Sequence, residues 1–290
     1  MSAARVHGYA ALNGVRLHYV AQGQGPLVVL LHGFPEHWWT WRHQLGPLAE
    51  AGFRAVALDL RGYNESEQRG PYDIDTLAAD VEALILHLGA EQAAIVGHDW
   101  GGGLAWHFAA TRARRTRAVL VLNAPHPAIF QQKLRSDLRQ IRRSWYMFFF
   151  LLPWLSERFC LARDAAWLRA LYQTSDPARF SPEELEPIFE AIQRPGAIQA
   201  AVQYYRTAVA RGLLRAKEFQ RYPRIEAPAH LLWGLEDRWL DFETLVPGIE
   251  RWAPRVVVEP LPGVHHFPHL ERTAAVNAWL IAALRAAESA

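Results

Sequence analysis

The run Ala94-Ile95-Val96-Gly97-His98-Asp99-Trp100-Gly101-Gly102 leaves this chain few ways to fold. The apolar residues before Gly97 suit a buried strand, and Leu104, Ala105, Phe108 and Ala109 behind it recur at helical spacing. Strand therefore passes into helix with almost no connection, and Asp99 sits on the turn. Glycines at 97, 101 and 102 permit the close approach that so short a turn demands. A turn of this kind pushes its central side chain into the open and aims backbone N–H groups at the same point. It presents a nucleophile. A carboxylate in that place attacks carbon directly and forms an ester, with no base needed to deprotonate it first. The plainer alternative is a helix-capping aspartate on an ordinary β-α turn.

The remainder of the chain repeats the same layering. Val15 to Tyr19 alternates as a strand does, and Leu27 to Leu31 is a continuous apolar run. Arg54 to Leu60, Ala93 to Gly97, Ala118 to Leu122, His230 to Trp233 and Val256 to Leu261 also read as strands. Helical patterns lie between them at about Trp39 to Ala51, Ile74 to Leu88, Gly102 to Thr111 and Thr273 to Ala287. This alternation predicts a mostly parallel sheet with helices on both faces. It breaks from Pro125 to about Pro223, where helical signals are many and no strand is convincing. Pro125, Pro127, Pro153, Pro177, Pro182, Pro187 and Pro195 divide that stretch into several helices. The expected organisation is a core of residues 1–125 and 222–290, with residues 126–221 inserted as a helical cap. Such a cap lies over the carboxyl ends of the strands, where open α/β sheets bind ligands.

With 290 residues, 51% of them apolar, the chain buries a substantial core and is not disordered. Its 31 lysines and arginines nearly balance 29 acidic residues, so no net field draws it to nucleic acid or to an anionic membrane, and a neutral substrate is expected. The cluster Arg112, Arg114, Arg115 and Arg117 falls at the end of the helix after Asp99, where cations suit the helix dipole, and reads as a solvated helix end. The single cysteine, Cys160, cannot form an internal disulfide. Met1 to Gly14 has no basic start followed by an apolar stretch, and the expected compartment is the cytoplasm. The most apolar run, Tyr146 to Leu155, is well short of the roughly twenty residues that span a bilayer and contains Pro153, so it is expected to be a lid helix lining an apolar pocket.

Gly97 to Gly102, taken with His32-Gly33-Phe34-Pro35, resembles the α/β-hydrolase superfamily, and within it the epoxide hydrolases and haloalkane dehalogenases whose nucleophile is Asp. The likeness runs from about Val15 to Leu284. It implies the α/β-hydrolase fold, a mostly parallel sheet flanked by helices with an inserted helical cap, and neither cofactor nor metal. It implies Asp99 as nucleophile, followed in chain order by an acid and a histidine. Asp237 in Gly234-Leu235-Glu236-Asp237 matches the acid at a strand end, with Glu236 adjacent. His266 matches the histidine, in step with Glu271, and His265 stands beside it. A zinc site made of His265, His266 and His269 is the metal alternative, for which no partner Cys or carboxylate set stands out. The resemblance assigns the histidine to activating water and the acid to holding its tautomer. It assigns the backbone N–H groups of Phe34 and Trp100 to the oxyanion formed in ester hydrolysis. His32 and Pro35 are expected to shape their loop, Pro35 after a cis peptide.

The cap separates epoxide opening from halide expulsion. An epoxide keeps its oxygen as a developing alkoxide, which needs a hydroxyl donor, whereas a departing halide needs N–H donors. Tyr146 in Ser144-Trp145-Tyr146 and Tyr205 in Tyr204-Tyr205-Arg206 match the two cap tyrosines of epoxide hydrolases. Phe34 stands where many dehalogenases carry a halide-binding Asn, and Trp100 and Gly103 stand where fluoroacetate dehalogenases carry Arg. The expected function is a cofactor-independent epoxide hydrolase that turns a small hydrophobic epoxide and water into a vicinal diol, as a monomer or homodimer. His32, Pro35, Trp145 and Phe149 are expected around the substrate. The alternatives are a haloalkane dehalogenase, with Trp100 and Trp145 cradling the halide, and a hydrolase-fold binding protein without turnover.

Overall fold

The computed structural model of the chain describes residues 4–172, 180–214, 219 and 221–288. Among these, eight strands form one sheet: β1 (Val6–Leu12), β2 (Val15–Gln22), β3 (Leu27–Leu31), β4 (Arg54–Leu58), β5 (Ala93–His98), β6 (Thr116–Leu122), β7 (Ala229–Gly234) and β8 (Val256–Leu261). Their order across the sheet is β1-β2-β4-β3-β5-β6-β7-β8. β2 runs antiparallel to β1 and β4, and the remaining pairs are parallel. This is the α/β-hydrolase architecture. The central strands β3 and β5 are buried along their whole length, which is why their sequences are continuous apolar runs rather than alternating ones. α1 (Arg42–Glu50) and the last helix, Thr273–Glu288, cover one face; α2 (Ile74–His87) and α3 (Asp99–Thr111) cover the other.

All seven anticipated strands form, and one more precedes them. β1 escapes a reading based on burial because it is an edge strand, mostly exposed, with Gly8 and Ala10 among its inward positions. β4 stops at Leu58 rather than Leu60, and α3 begins at Asp99 rather than Gly102, so the turn residue is itself the first of the helix.

Between β6 and β7 the described residues form helices and no strand: α4 (Pro127–Ser136), α5 (Leu138–Arg143), α6 (Trp145–Phe149), α7 (Leu155–Ala170), α8 (Pro182–Gln193) and α9 (Ala197–Leu214). Pro127 and Pro182 stand in the first turns of α4 and α8, where a missing N–H costs nothing, each behind a side-chain cap, from His126 and Ser181. α7 is broken at Ala162–Ala165, where the backbone leaves the helical region. Pro177 lies outside the described residues. Among the described residues no helix is long and apolar enough to cross a membrane.

This helical layer is tied to the sheet layer by polar contacts of buried and half-buried groups. The Tyr204 hydroxyl on α9 donates to the Arg61 carbonyl at 2.6 Å. The Arg61 guanidinium in turn grips Asp80 on α2 through two bonds of 2.7 and 2.8 Å, both side chains being almost fully buried. The Trp39 indole donates to the Glu184 carbonyl on α8 at 2.9 Å. Removing one partner of a buried charge pair leaves the other uncompensated. Asp80→Ala is therefore expected to destabilise the fold by about 3–5 kcal/mol, measured by urea unfolding. A loss within the error of the measurement would show that Arg61 finds other partners.

Candidate active site

The turn between β5 and α3 holds Asp99 at φ 48°, a left-handed conformation that an L-residue adopts only under constraint. The constraint is steric. A Cβ on Gly101 meets the Leu31 carbonyl, one on Gly97 meets the Gly101 carbonyl, and one on Gly33 meets the Asp99 side chain. The glycines let the helix start pack directly on β3, and the carboxylate is thrust above the strand ends. Asp99 Oδ1 accepts the Phe34 N–H at 3.0 Å, and the Phe34–Pro35 peptide is cis. Trp100 is the second residue of α3, so its N–H belongs to the first turn, where helical N–H groups have no intrahelical acceptor.

His266 stands across from this carboxylate, with Nε2 at 3.6 Å from Asp99 Oδ2 and Nδ1 at 2.7 Å from Asp237 Oδ2. Asp237 Oδ1 accepts the N–H groups of Trp239 and Leu240 at 2.8 and 3.0 Å, and its Oδ2 accepts Asn123 Nδ2 at 2.8 Å. Burial opposes the charge of Asp237, yet His266 and these donors hold its pKa below the ordinary carboxylate value. Burial likewise disfavours a charged His266, but the facing carboxylates of Asp237 and Asp99 outweigh it and hold the imidazole pKa well above its usual value. His266 thus lies between two carboxylates that both favour its charged form. The adjacent candidates are engaged elsewhere: His265 is bound to Glu271 through both its backbone N–H and its ring, and Glu236 is exposed. Among the described residues, the sets close enough to share an ion include neither His265 nor His266.

Asn123 is the residue that sequence reasoning missed. It follows β6, donates to Asp237, and accepts the Gly234 N–H at 2.9 Å, so it pins the ends of β6 and β7 together under the acid. Its signal was a lone amide ending an apolar strand next to the elbow strand. A second missed group is buried behind the site. Glu36 Oε2 lies 2.9 Å from His98 Nδ1, and Thr40 donates to Glu36 Oε1 at 2.5 Å while meeting His269 Nε2 at 2.6 Å. His98 Nε2 reaches the His266 carbonyl at 2.7 Å. Burial and the neighbouring His98 push the His269 pKa down to about 4, so that ring is neutral, while Glu36 is held well below the ordinary range against the cost of its burial.

Tyr146 on α6 and Tyr205 on α9 lean over Asp99 with their rings 5.7 Å apart at 80°. Tyr205 also meets Phe34 and Trp100 edge-on at 5.4 and 5.0 Å. Burial, then the charge of Asp99, raises both phenol pKa values above the ordinary one, so both remain hydrogen-bond donors. Two cavities meet at Asp99, Tyr146 and Tyr205. The larger, about 960 Å³ with its open mouth, is walled by Trp100, Phe130, Met147, Phe219 and Tyr222; the smaller, about 340 Å³, by Trp167, Leu171, Trp239 and Phe267 together with His266.

The four residues expected around the substrate line neither cavity. His32 is buried and accepts the Leu60 N–H at 3.0 Å, so it props the loop, as its neighbour Pro35 does. On α6, Trp145 is 45% exposed and Phe149 is half-buried against the core, and neither reaches the wall of a cavity. Of the pair Trp100 and Trp145, only Trp100 lines a cavity that reaches Asp99.

The sequence profile of the α/β hydrolase fold family matches residues 26–273. The AB hydrolase superfamily protein YfhM of Bacillus subtilis is 37% identical over 280 residues, which cover 94% of this chain and 96% of that protein. Epoxide hydrolase 3 of Xenopus tropicalis is 33% identical over 285 residues, covering 93% of this chain and 76% of that one. Among solved structures, an epoxide hydrolase from Bacillus megaterium in complex with an inhibitor superposes with a TM-score of 0.85 at 30% identity, over 96% of this chain and all of that one.

If two carboxylates hold the imidazolium, deleting one weakens the hold. Asp99→Asn is expected to lower the His266 pKa while leaving it charged at mildly acid pH, read from the pH dependence of its ring nitrogen resonances. An unchanged titration would mean that Asp237 alone sets the charge.

Proposed function

Because this chain belongs to the α/β-hydrolase superfamily and to its epoxide hydrolase family, we propose that it adds water to epoxides and releases vicinal diols. Residues 126–221 act as the cap that supplies the two tyrosines and walls off the substrate. An Asp99 oxygen attacks one oxirane carbon, the carbon–oxygen bond of the ring breaks, and the freed oxygen takes a proton from Tyr146 or Tyr205. A hydroxyalkyl ester of Asp99 and one tyrosinate result.

Ester formation removes the charge of Asp99, one of the two carboxylates that keep His266 protonated. The imidazolium then loses its proton, for which the tyrosinate is the acceptor, and becomes a base only once there is an ester to hydrolyse. Neutral His266, held in one tautomer by Asp237, takes a proton from water as that water attacks the ester carbonyl. The N–H groups of Phe34 and Trp100 receive the oxyanion, a contribution on the order of 3 kcal/mol for each such donor in comparable sites. Collapse expels the diol, which takes the remaining proton of the attacking water, and restores the Asp99 carboxylate beside an imidazolium. Atoms and protons balance: one epoxide and one water yield one diol.

The observation that carries this reading is the convergence of a carboxylate nucleophile and two phenol donors on the same pair of cavities. A serine esterase has no use for the tyrosines, and a halide leaving group none for hydroxyl donors.

Two substitutions test it. His266→Gln is expected to complete the first step and stop, so that incubation with a styrene-type epoxide adds one substrate mass to the peptide containing Asp99. An unmodified, fully active variant would overturn the assignment. Tyr146→Phe combined with Tyr205→Phe is expected to slow ring opening by about a hundredfold or more, measured in a single turnover. Retained opening would place the proton donor elsewhere.

A further inference from the structure

We propose that the outer face of α6 and the first turns of α7 dock onto an anionic lipid bilayer. Of the fourteen large apolar side chains that are exposed among the described residues, eight fall between 138 and 159. Trp145, Phe148, Leu152, Trp154, Leu155 and Phe159 form the body of this patch, and Trp154 is 82% exposed. Phe149 joins two of its members, packing on both Trp145 and Phe159 with ring centroids 6.0 and 5.2 Å apart. Soluble proteins rarely leave a cluster of large apolar side chains open unless something covers it.

The charges around the patch say what covers it. Between residues 133 and 163 the chain carries seven lysines and arginines and two carboxylates, although its total charge is only +2. Both carboxylates are turned inward or occupied. Glu157 is buried against Arg206 at 2.8 Å, and Asp137 caps α5 by accepting the N–H groups of Arg139 and Gln140. Arg139, Arg142, Arg158 and Arg163 are exposed, and among the described residues none of them pairs with a carboxylate. Exposed Trp, Phe and Leu, with exposed cations of one sign on the same helices, match a bilayer interface: aromatic and aliphatic groups enter the acyl boundary while guanidinium groups meet anionic headgroups. A second copy of this chain brings the same cations to the same place and repels. Strain points to the same spot, since Trp154 holds a φ of 65° at the tip between α6 and α7. The patch also lies one side chain from the smaller cavity, because Trp167 touches Trp145 and Phe159 on one side and lines that cavity on the other. An apolar substrate dissolved in lipid thus has a short path to Asp99.

The test is co-sedimentation of the whole protein with vesicles of phosphatidylcholine alone or with about 30% phosphatidylglycerol. The protein is expected to bind the mixed vesicles only, and to be released at high salt. Leu152→Ser/Trp154→Ser/Leu155→Ser and, separately, Arg139→Glu/Arg142→Glu/Arg158→Glu are each expected to cut the bound fraction about tenfold at an unchanged melting temperature. Trp154→Ser alone serves if the triple serine variant does not fold. Absence of binding to the mixed vesicles, or binding indifferent to both sets of changes, overturns the proposal. A dimer in solution that the serine variant dissociates, without vesicle binding, assigns the face to a second copy instead.

Discussion

The left-handed turn at Asp99 is the constraint on which the rest of the site depends. A non-glycine residue in that conformation costs on the order of 1–3 kcal/mol, and it persists only where its surroundings over-determine it. Here they do. β5 is flanked by β3 and β6 in a sheet covered on both faces, and α3 packs so closely on β3 that glycine is the only residue its first turn accepts at 101. The apolar core therefore stabilises a conformation the local chain resists. The Phe34 amide reaches Asp99 only because Gly33 lets the two segments touch.

The parts of this arrangement that are local in the chain were legible in the sequence. The elbow reads out of nine consecutive residues, and Asp237 and His266 were matched through the chain order and local patterns of the family that the elbow resembles. What joins residues far apart was not legible. Asn123 contacts Asp237 across 114 positions, and the buried group of Glu36, Thr40, His98 and His269 draws on three separate stretches of the chain. Each of these residues is unremarkable in its own neighbourhood. The run Tyr146 to Leu155, expected to be a helix lining a pocket, does so only through Tyr146 and Met147 at its start, for another reason. A helical face is recognised by the polar residues on its far side, and a run with none has no phase. Met147 and Phe150 turn inward there while Phe148 and Leu152 turn out, a division visible only once the helix is docked.

Charge is organised in the same non-local manner. Near-neutrality of the whole chain conceals a cationic outer surface on the helical layer and an alternation of carboxylates and imidazoles beneath Asp99. In that alternation His266 is held from two sides: its ring by Asp237, and its backbone carbonyl by His98, which Glu36 orients. Fixing both ends of one residue leaves its imidazole little freedom to swing away from the carboxylate it faces.

The two cavities that join at Asp99 are unequal, and they are separated by the tyrosines above and the carboxylate below. Space on the two sides of that carboxylate is therefore unlike: a bulky apolar group has room among Trp100, Phe130, Phe219 and Tyr222, whereas the side of His266, Trp239 and Phe267 admits only a slimmer one.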